Sequence, residues 1–590
     1  MKKFFMIFSP FFILGFIICN SYFNIKDIGE FKNSCFNSND SLNKTVMVIV
    51  PHEDDEINLA GGILKNYTEN GYNVKVVFTT NGDFNYSGKT RIREGINACK
   101  VMGIPEKNVF FLGFGDFLND NKYTHIYHAP NDYRMSSYAG YNTTYGLKEH
   151  PTYSNLKQGK ELEYTRSNLL FSLINILLEF KPKEIFCVDF DSHPDHRATS
   201  LLFEEAMGII LKDNINYTPE IYKGYAYSTA WTAEYDFYDI NLISTLNPDN
   251  STKKKSEIGI TQYDWNERVR FPVHRETLTR LLFDNLIMKS LSEHKLPKAR
   301  INAGRIINSD KVFWHRSTNS YTYKSKITAS SGNTKYLNDL KLFDCNDIVN
   351  LDDYFYTNYL WTPLNNDTEK KIKVVFDSPK NISTINLYDN PDQNSNIVSG
   401  TLIFSDGSTL KTGPLCKKGS KTNINFYQKN NITSFTFQID SFVGIHPGLT
   451  EIEANGKFTS ERQIIKLFDK SNDSFIYRYF VKENTSELDL GVYQYPQKND
   501  YTIRILGNHN NHVYLKNSKL IISDQFKYCK IRVEEKNNPT VYDEIELVKI
   551  NKIDLYVYNL LGKFEFLCTN IYLESFKLYY RCISFIKKRF

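Results

Sequence analysis

Residues 44 to about 227 alternate between two hydrophobic periods, one typical of strands and one typical of helices. Short apolar runs rich in β-branched residues predict buried strands at 46–50, 73–80, 108–112, 184–188 and 221–227. Amphipathic stretches between them predict helices at 57–69, 88–102, 162–179 and 195–211. Such alternation predicts an α/β fold, a Rossmann-like and mostly parallel sheet flanked by helices.

The pattern changes in the second half of the chain. After a helix predicted at 275–293 and an apolar stretch at 308–316, short apolar runs alternate with Asn, Asp, Gly and Ser. Strands predicted at 371–376, 382–388, 400–404, 423–426 and 434–439 have the spacing of a β-sandwich, and Asp406-Gly407 predicts a hairpin turn. We therefore expect an α/β domain at 40–330, a β-sandwich at 335–460, a second β-rich domain at 461–550 and an aromatic, basic tail at 551–590.

Both ends of the chain suggest contact with a membrane or its exterior. Lys2 and Lys3 precede 16 mainly apolar residues, a length typical of a signal peptide and short of the roughly 20 that span a bilayer. Residues 1–25 thus predict a signal peptide or an N-terminal anchor, and a protein that is secreted or membrane-anchored and extracytoplasmic. The tail, ending in Lys587-Lys588-Arg589, suits an anionic membrane surface or a docked terminal element.

Composition narrows the function classes. A net charge of +5 over 590 residues gives no support for nucleic acid as a partner. The nine cysteines contain no CxxC pair, which argues against a zinc ribbon and against a disulfide framework. Aromatic residues make up 15% of the chain, and a long aromatic loop at 114–160 suits a lid over a sugar site, with compositional bias as the alternative.

Two clusters of polar residues follow two of the predicted strands. Ligands of open α/β sheets bind beyond the carboxyl ends of the strands, where both clusters fall. The strand at 46–50 leads into one cluster and the strand at 184–188 into the other, so we expect one divalent metal between them. The clusters are His52-Glu53-Asp54-Asp55-Glu56 and Asp191-Ser192-His193-Pro194-Asp195-His196.

A catalytic divalent metal takes three protein ligands of the His and carboxylate type and keeps a position open. His52, Asp55 and His196 supply that set. Asp54 stands beside the ligands and is free to act as general base on the attacking water. Taken alone, however, an acidic turn of this kind is more often the solvated start of a helix.

The second cluster contains a candidate general acid and a carboxylate that can orient a histidine ring. His193 is placed to protonate the leaving nitrogen or to bind the oxyanion, and Asp195 to hold an imidazole ring in the right tautomer. By itself, the HPDH run is more often a loop in which Asp195 opens the following helix. The two clusters together, each at a strand end, favour the metal site.

The runs PHEDDE at 51–56 and HPDH at 193–196 resemble the two signature motifs of the PIG-L/LmbE-like zinc de-N-acetylases. The resemblance covers roughly residues 44–320. It implies Zn²⁺ on the three ligands named above, with Fe²⁺ or Co²⁺ as alternatives, Asp54 as base and His193 as the electrostatic or acid partner.

Of the other positions, some match the pattern of this family and others depart from it. Arg91 and Glu94 match its Arg-x-x-Glu pattern, which implies a substrate contact for Arg91 and packing for Glu94. Glu53 replaces the usual proline, and we expect it to add charge and turn freedom beside the metal. The family's Ser-Gln pair is absent at 289–297, where the sequence is KSLSEHKLP.

Residues 336–458 resemble a galactose-binding-like, discoidin-type β-sandwich. The resemblance lies in WTP at Trp361, FSDG at Phe404 and GLTEIE at Gly448. It implies adhesion to carbohydrate.

Together with the two polar clusters, the resemblance to the PIG-L/LmbE-like family implies a zinc-dependent de-N-acetylase that hydrolyses the acetamide of a GlcNAc-type unit in an extracellular or surface glycan or glycolipid. Two alternatives are a non-catalytic carbohydrate-binding surface protein with a decayed catalytic domain, and an amidohydrolase that acts on a different amide. A decayed scaffold has no need for the complete set of polar residues, which favours the enzyme.

Overall fold

The computed structural model describes most of the chain. The predicted signal peptide or anchor lies largely outside the described residues, and so does much of the C-terminal tail. The described ranges are 18–24, 27–37, 44–213, 216–227, 240–247, 264–279, 281–296, 299–350, 359–392, 394–417, 419–456, 462–507, 512–565, 567–568 and 571.

A seven-stranded sheet forms the centre of the N-terminal domain. Its strand order is β4-β3-β2-β5-β6-β8-β7, with the first five strands parallel and β8 antiparallel to both of its neighbours. This confirms the predicted mostly parallel α/β fold. The strands are β1 (Lys32–Asn33, which joins a different sheet), β2 (Thr45–Val50), β3 (Asn73–Thr80), β4 (Val109–Phe114), β5 (Glu184–Val188), β6 (Glu220–Gly224), β7 (Val269–Pro272) and β8 (Asp310–Arg316).

Helices cover both faces of this sheet. Alternate residues of β2 enter opposite cores, Val46 and Val48 on one face and Met47 and Ile49 on the other. The helices are α1 (Asp55–Glu69), α2 (Gly88–Val101), α3 (Tyr153–Gln158), α4 (Arg166–Phe180), α5 (Pro194–Lys212), α6 (Leu286–Leu291) and α7 (Ala303–Ile306).

The helix predicted at 275–293 is wrong. The structure has short 3₁₀ turns at Arg275–Thr277 and Leu282–Asp284, and among the residues described in this range only those of α6 are α-helical. The cause is Asn285, whose Nδ2 donates to the carbonyl of Thr277 while its Oδ1 accepts from the Ile287 N–H. An asparagine that satisfies backbone groups on both sides ends one turn and begins the next.

The direction of winding reverses between β2 and β5. From β2 the chain continues to β3 and β4 on one side, and from β5 it continues to β6 on the other. The loops after β2 and β5 therefore diverge over a crevice at the carboxyl edge of the sheet, where ligands of such folds bind. Both predicted polar clusters follow these two strands.

A β-sandwich follows the α/β domain. Two predicted strand pairs, 371–376 with 382–388 and 423–426 with 434–439, turn out to be single long strands. Register shifts between Val375 and Thr384 bend the pair without ending it, which is why the sequence signals two strands. The strands are β9 (Lys326–Ala329), β10 (Lys371–Asp389), β11 (Asn396–Phe404), β12 (Thr409–Thr412), β13 (Lys421–Val443) and β14 (Leu449–Asn455).

The boundary between these domains differs from the predicted one. Strand β9 pairs with β10, so the sandwich takes in residues before 335. The hairpin predicted at Asp406-Gly407 joins β11 to β12, and Gly407 has a φ of 83° that suits glycine.

The C-terminal β-rich domain consists of two five-stranded sheets around one core. Strand β1, which precedes the α/β domain in sequence, pairs with β23. The eight cysteines that the structure describes are free thiols, five of them buried. The strands are β15 (Ile464–Asp469), β16 (Ser474–Phe475), β17 (Arg478–Val481), β18 (Glu487–Tyr495), β19 (Tyr501–Leu506), β20 (Val513–Lys516), β21 (Lys519–Ile522), β22 (Tyr528–Glu535) and β23 (Tyr542–Lys549).

A buried ion pair joins this domain to the central sheet. Arg462 pairs with Glu184 at the start of β5, and its Nη1 donates to the carbonyl of Cys35 at 2.6 Å. Tyr67 donates to the same Glu184 carboxylate at 2.6 Å. The arginine thus links the β-rich domain to the strand that carries one of the polar clusters.

We expect Arg462→Ala to lower the free energy of unfolding by about 3–5 kcal/mol, because it leaves the Glu184 carboxylate buried without its partner. Urea denaturation followed by tryptophan fluorescence measures the change. The exposed pair of Lys470 with Asp489, at 2.9 Å, provides the control. Lys470→Ala should cost less than about 1 kcal/mol, and equal effects of the two variants would contradict the role given to Arg462.

Candidate metal centre

The three predicted metal ligands converge on one carboxylate oxygen. Asp55 Oδ2 lies 3.0 Å from His52 Nδ1 and 2.9 Å from His196 Nε2, and all three residues are buried. The turn after β2 brings His52 and Asp55 together through a backbone bond from the Asp55 N–H to the His52 carbonyl. His196 reaches them from the first turn of α5.

The other nitrogen of each imidazole contacts further carboxylates. His52 Nε2 lies 2.8 Å from Asp116 Oδ1 and 3.3 Å from Asp195 Oδ2, and His196 Nδ1 lies 2.8 Å from Asp191 Oδ2. Such contacts orient the rings of metal-binding histidines and raise their basicity. Although burial lowers it, the pKa of His196 is raised to about 10 by the carboxylates of Asp191 and Asp55.

A buried oxygen without a partner indicates that these residues fit a cation. Among the described residues, Asp55 Oδ1 has no hydrogen-bond partner, and this atom is shielded from solvent. Ligand atoms of His52, His193 and His196 lie within 4.8 Å of one another. Imidazole nitrogen together with carboxylate oxygen suits Zn²⁺ and related divalent metals.

Asp54 is held beside the ligands in an uncommon backbone conformation. Its φ of 129° is rare for a residue other than glycine, and strain of this kind clusters at functional sites. The Asp54 N–H donates to Glu56 Oε2 at 2.9 Å, and Arg91 Nη2 lies 3.4 Å from Asp54 Oδ1. Burial raises the pKa of Asp54 to about 6, against the lowering effect of Arg91. A carboxylate with such a pKa suits a general base near neutral pH.

Arg91 supports the acidic turn from behind. Its Nε donates to Glu53 Oε2 at 3.1 Å, and its Nη2 also bonds the Glu53 carbonyl. The expectation of turn freedom at Glu53 is wrong, because this side chain is fully buried and held by the arginine. The substrate contact of Arg91 stays a prediction. Glu94 accepts a hydrogen bond from the Leu296 N–H.

His193 is the most accessible of the three histidines, with 35% of its side chain exposed. Its ring meets that of His52 edge to face, with centroids 4.6 Å apart. Burial and the neighbouring rings of His52 and His196 hold its pKa well below the ordinary value. Its Nδ1 accepts from the Asp195 N–H at 3.2 Å, so the neutral ring carries its proton on Nε2 and can donate it.

Three further residues belong to the site. Asp116 and His125 come from the loop at 114–160: the first contacts His52, and the second contacts Asp195 Oδ1 at 3.0 Å. His294 contacts Glu56 Oε1 at 3.0 Å. No periodicity or motif marks Asp116 or His125, whereas His294 stands in the KSLSEHKLP stretch that departs from the family pattern.

We expect Asp191→Asn to weaken metal binding about 10–100-fold, because it removes the carboxylate that orients His196 through Nδ1. Titration of the metal-free protein with Zn²⁺ in a competing chelator measures the affinity. Asp213→Asn, an exposed change at the end of the same helix α5, is the control. Equal affinities of the two variants would show that Asp191 does not support the ligand.

Comparison with known families divides the chain in the same way. Residues 47–207 match the family described as PIG-L: GlcNAc-PI de-N-acetylase, and residues 322–455 match a domain of unknown function, DUF7402. A probable N-acetylglucosaminyl-phosphatidylinositol de-N-acetylase of Dictyostelium discoideum is 34% identical over 83 residues, which cover 14% of this chain. The match spans 32% of that relative's length.

Solved structures resemble the two parts separately. The N,N'-diacetylchitobiose deacetylase from Pyrococcus horikoshii, complexed with its inhibitor MPG, is 21% identical, with 32% of this chain and 62% of that chain covered and a TM-score of 0.21. The family 32 CBM from C. perfringens NanJ, in complex with galactose, is 11% identical, with 23% and 95% covered and a TM-score of 0.18. The match over 47–207 confirms the predicted resemblance of the α/β domain to the PIG-L family.

Proposed function

We propose that this protein is a metal-dependent de-N-acetylase that hydrolyses the acetamide of a GlcNAc-type unit in a glycan or glycolipid outside the cytoplasm. The observation that carries the proposal is the Asp55 carboxylate between His52 and His196, with a buried oxygen that lacks a partner and Asp54 beside it. The PIG-L match over 47–207 supports the same reaction class.

The side chains of the site divide the reaction between them. A bound divalent ion supplies Lewis acidity, which polarises a carbonyl and lowers the pKa of water to about 7 in favourable sites. Asp54 accepts the proton of the water that attacks the acetamide carbon. His193 donates a hydrogen bond from Nε2 to the oxygen on which negative charge develops, and Asp54 then passes the proton it has accepted to the leaving nitrogen. The C–N bond breaks, and acetate and a free amine are the products.

The surrounding residues keep these groups in place. Asp195 holds His52 and His125, Asp191 holds His196, and Arg91 fixes the turn that carries Asp54. Positioning of this kind lowers the activation free energy of hydrolysis, because the reacting groups are already in place before the reaction begins.

Acetate release tests the proposal directly. The full chain is incubated with N-acetylchitooligosaccharides and with GlcNAc glycolipid conjugates, before and after dialysis against dipicolinate. We expect release that disappears with the chelator and returns with an added metal, and parallel additions of Zn²⁺, Fe²⁺ and Co²⁺ identify the metal preferred. Saccharide binding without acetate release under any of these metals would favour the non-catalytic alternative.

For the location we propose attachment to a membrane surface through the two chain ends. Residues 18–24 and 552–565 are helical and meet where Ser21 Oγ donates to Asp554 Oδ1 at 2.6 Å. Among the described residues, no helix combines the length and apolarity needed to cross a bilayer. Large exposed apolar side chains nevertheless line one stripe of the C-terminal helical segment at intervals of three and four: Ile553, Tyr556, Leu560, Phe564, Leu567 and Ile571.

We expect a Leu560→Glu/Phe564→Glu variant to bind vesicles of phosphatidylcholine and phosphatidylserine at least about tenfold less than the parent chain, because burial of both side chains in the interface is lost. Cosedimentation measures bound protein. Tyr514→Glu changes an exposed aromatic residue in the β-rich domain and serves as control. If all three proteins cosediment equally, the stripe is not the contact.

A further inference from the structure

A polar cavity lies at the end of the central sheet opposite the metal centre, between all three domains. Its volume is about 580 Å³, within the range of about 300–1,000 Å³ typical of small-ligand sites. One wall is the end of β8, another is a face of the β-sandwich, and Tyr495 at the end of β18 closes a third side. Arg316 of β8 pairs with Ile221 near the start of β6, so the cavity lies away from the carboxyl edge that carries the metal centre.

The wall that the β-sandwich contributes to the cavity consists of polar side chains on three neighbouring strands, β10, β13 and β14. Residues two apart on a strand share a face, so Thr384, Asn386 and Tyr388 of β10 all point the same way. Their partners across the pairs to β13 and β14 extend the same face: Asn425, Asn423 and Lys421 on one side, and Asn455 and Glu453 on the other.

This wall offers hydrogen-bond acceptors that nothing in the described part of the chain satisfies. Asn386 Oδ1, Glu453 Oε1 and Asn455 Oδ1 are buried and have no partner there. Asn386 and Glu453 are more than nine-tenths buried, and Asn386 Nδ2 donates to Glu453 Oε2 at 2.8 Å, which fixes both side chains. Leaving buried acceptors unpaired is costly, so the wall suits a molecule that brings several donors.

The polar groups and rings of the cavity suit a hydroxyl-rich ligand, whose donors can meet the unpaired acceptors. Lys421 Nζ lies 3.2 Å from Glu267 Oε2, so this cation is already paired. Amides such as those of Asn423 and Asn425 both donate and accept, as adjacent hydroxyls do. Partly exposed rings of Tyr321 and Tyr495 add apolar faces on which a pyranose ring can stack.

We propose that this cavity is a saccharide-binding site separate from the metal centre. A glycan held here lies on the opposite end of the sheet from the reacting groups, so the site retains the protein on a glycan without presenting an acetamide for hydrolysis. The proposal does not depend on the deacetylase activity, because binding alone defines it.

Calorimetric titration of the full chain tests the site. The probes are N-acetylchitotetraose, cellotetraose and galactotetraose, all with an Asp54→Asn chain so that no probe is hydrolysed. We compare that chain with versions that also carry Asn423→Ala/Asn455→Ala, which removes polar groups from the wall, or Asn425→Trp, which fills the mouth. The control is Asn430→Ala, an exposed asparagine of the same strand β13 outside the cavity. Thermal melting confirms that each variant is folded.

We expect at least one probe to bind, and both cavity variants to lose one saturable site or to bind at least tenfold more weakly, while Asn430→Ala leaves the isotherm unchanged. Isotherms that are identical for the cavity variants and their parent would overturn the proposal, and so would the absence of binding by all three probes. Loss of acetate release in the wild-type chain with binding intact would contradict the deacetylase and leave this site standing.

Discussion

The Asp55→Asn variant should lose its metal and, with it, all measurable deacetylation. Asp55 Oδ2 faces nitrogens of both His52 and His196, at 3.0 and 2.9 Å, and its Oδ1 is the buried oxygen without a partner. Asparagine has the same size but carries no charge and turns an NH₂ group toward one side of the cluster. If three ligands share about 10–16 kcal/mol of binding free energy, losing one weakens metal binding about 10²–10⁴-fold.

Metal content after desalting and acetate release are measured on the same preparation. Asp120→Asn, which removes an exposed carboxylate from the loop at 114–160, is the control and should keep both. A variant at Asp55 that retained stoichiometric metal would remove this residue from the ligand set and leave His52, His193 and His196 as the alternative cluster.

The parallel strands and long helices of the α/β domain were predictable because their hydrophobic patterns are local. Strands β3 and β5 begin and end where the sequence predicts, and α2 and α5 agree to within one residue at either end. The meeting of His52, Asp55 and His196 was predictable because both polar clusters directly follow buried strands of one sheet. Their binding of a metal stays a prediction.

The remaining parts of the site depend on tertiary contacts. Asp116 and His125 lie in a loop with no periodicity, and only the folded chain brings them to His52 and Asp195. The helix predicted at 275–293 was wrong for a related reason. A periodic pattern does not show that the side chain of Asn285 hydrogen-bonds backbone groups on both sides of it. Dependence on tertiary contacts also explains the bent strand β10, whose register shifts interrupt the alternation of apolar residues but not the pairing.

Substitution of the neighbouring aspartate should separate metal binding from turnover. We expect Asp54→Asn to keep its metal and to lower kcat about 10²–10⁴-fold, the usual effect of removing a general base. Asparagine tolerates a positive φ better than most residues, so the backbone at 129° can persist, and it occupies the same volume beside Arg91. It has no carboxylate, however, and cannot take the proton of the attacking water.

The variants Asp54→Asn and Asp55→Asn therefore form a matched pair, for which we expect opposite results when metal content is measured. Asp54 and Asp55 are adjacent, carry the same charge and are changed in the same way, so a general loss of folding would affect both. Metal retained in Asp54→Asn and lost in Asp55→Asn is expected if one carboxylate binds the ion and the other accepts the proton. If Asp54→Asn instead kept more than about a tenth of the parent kcat with full metal, a different group would have to be the base.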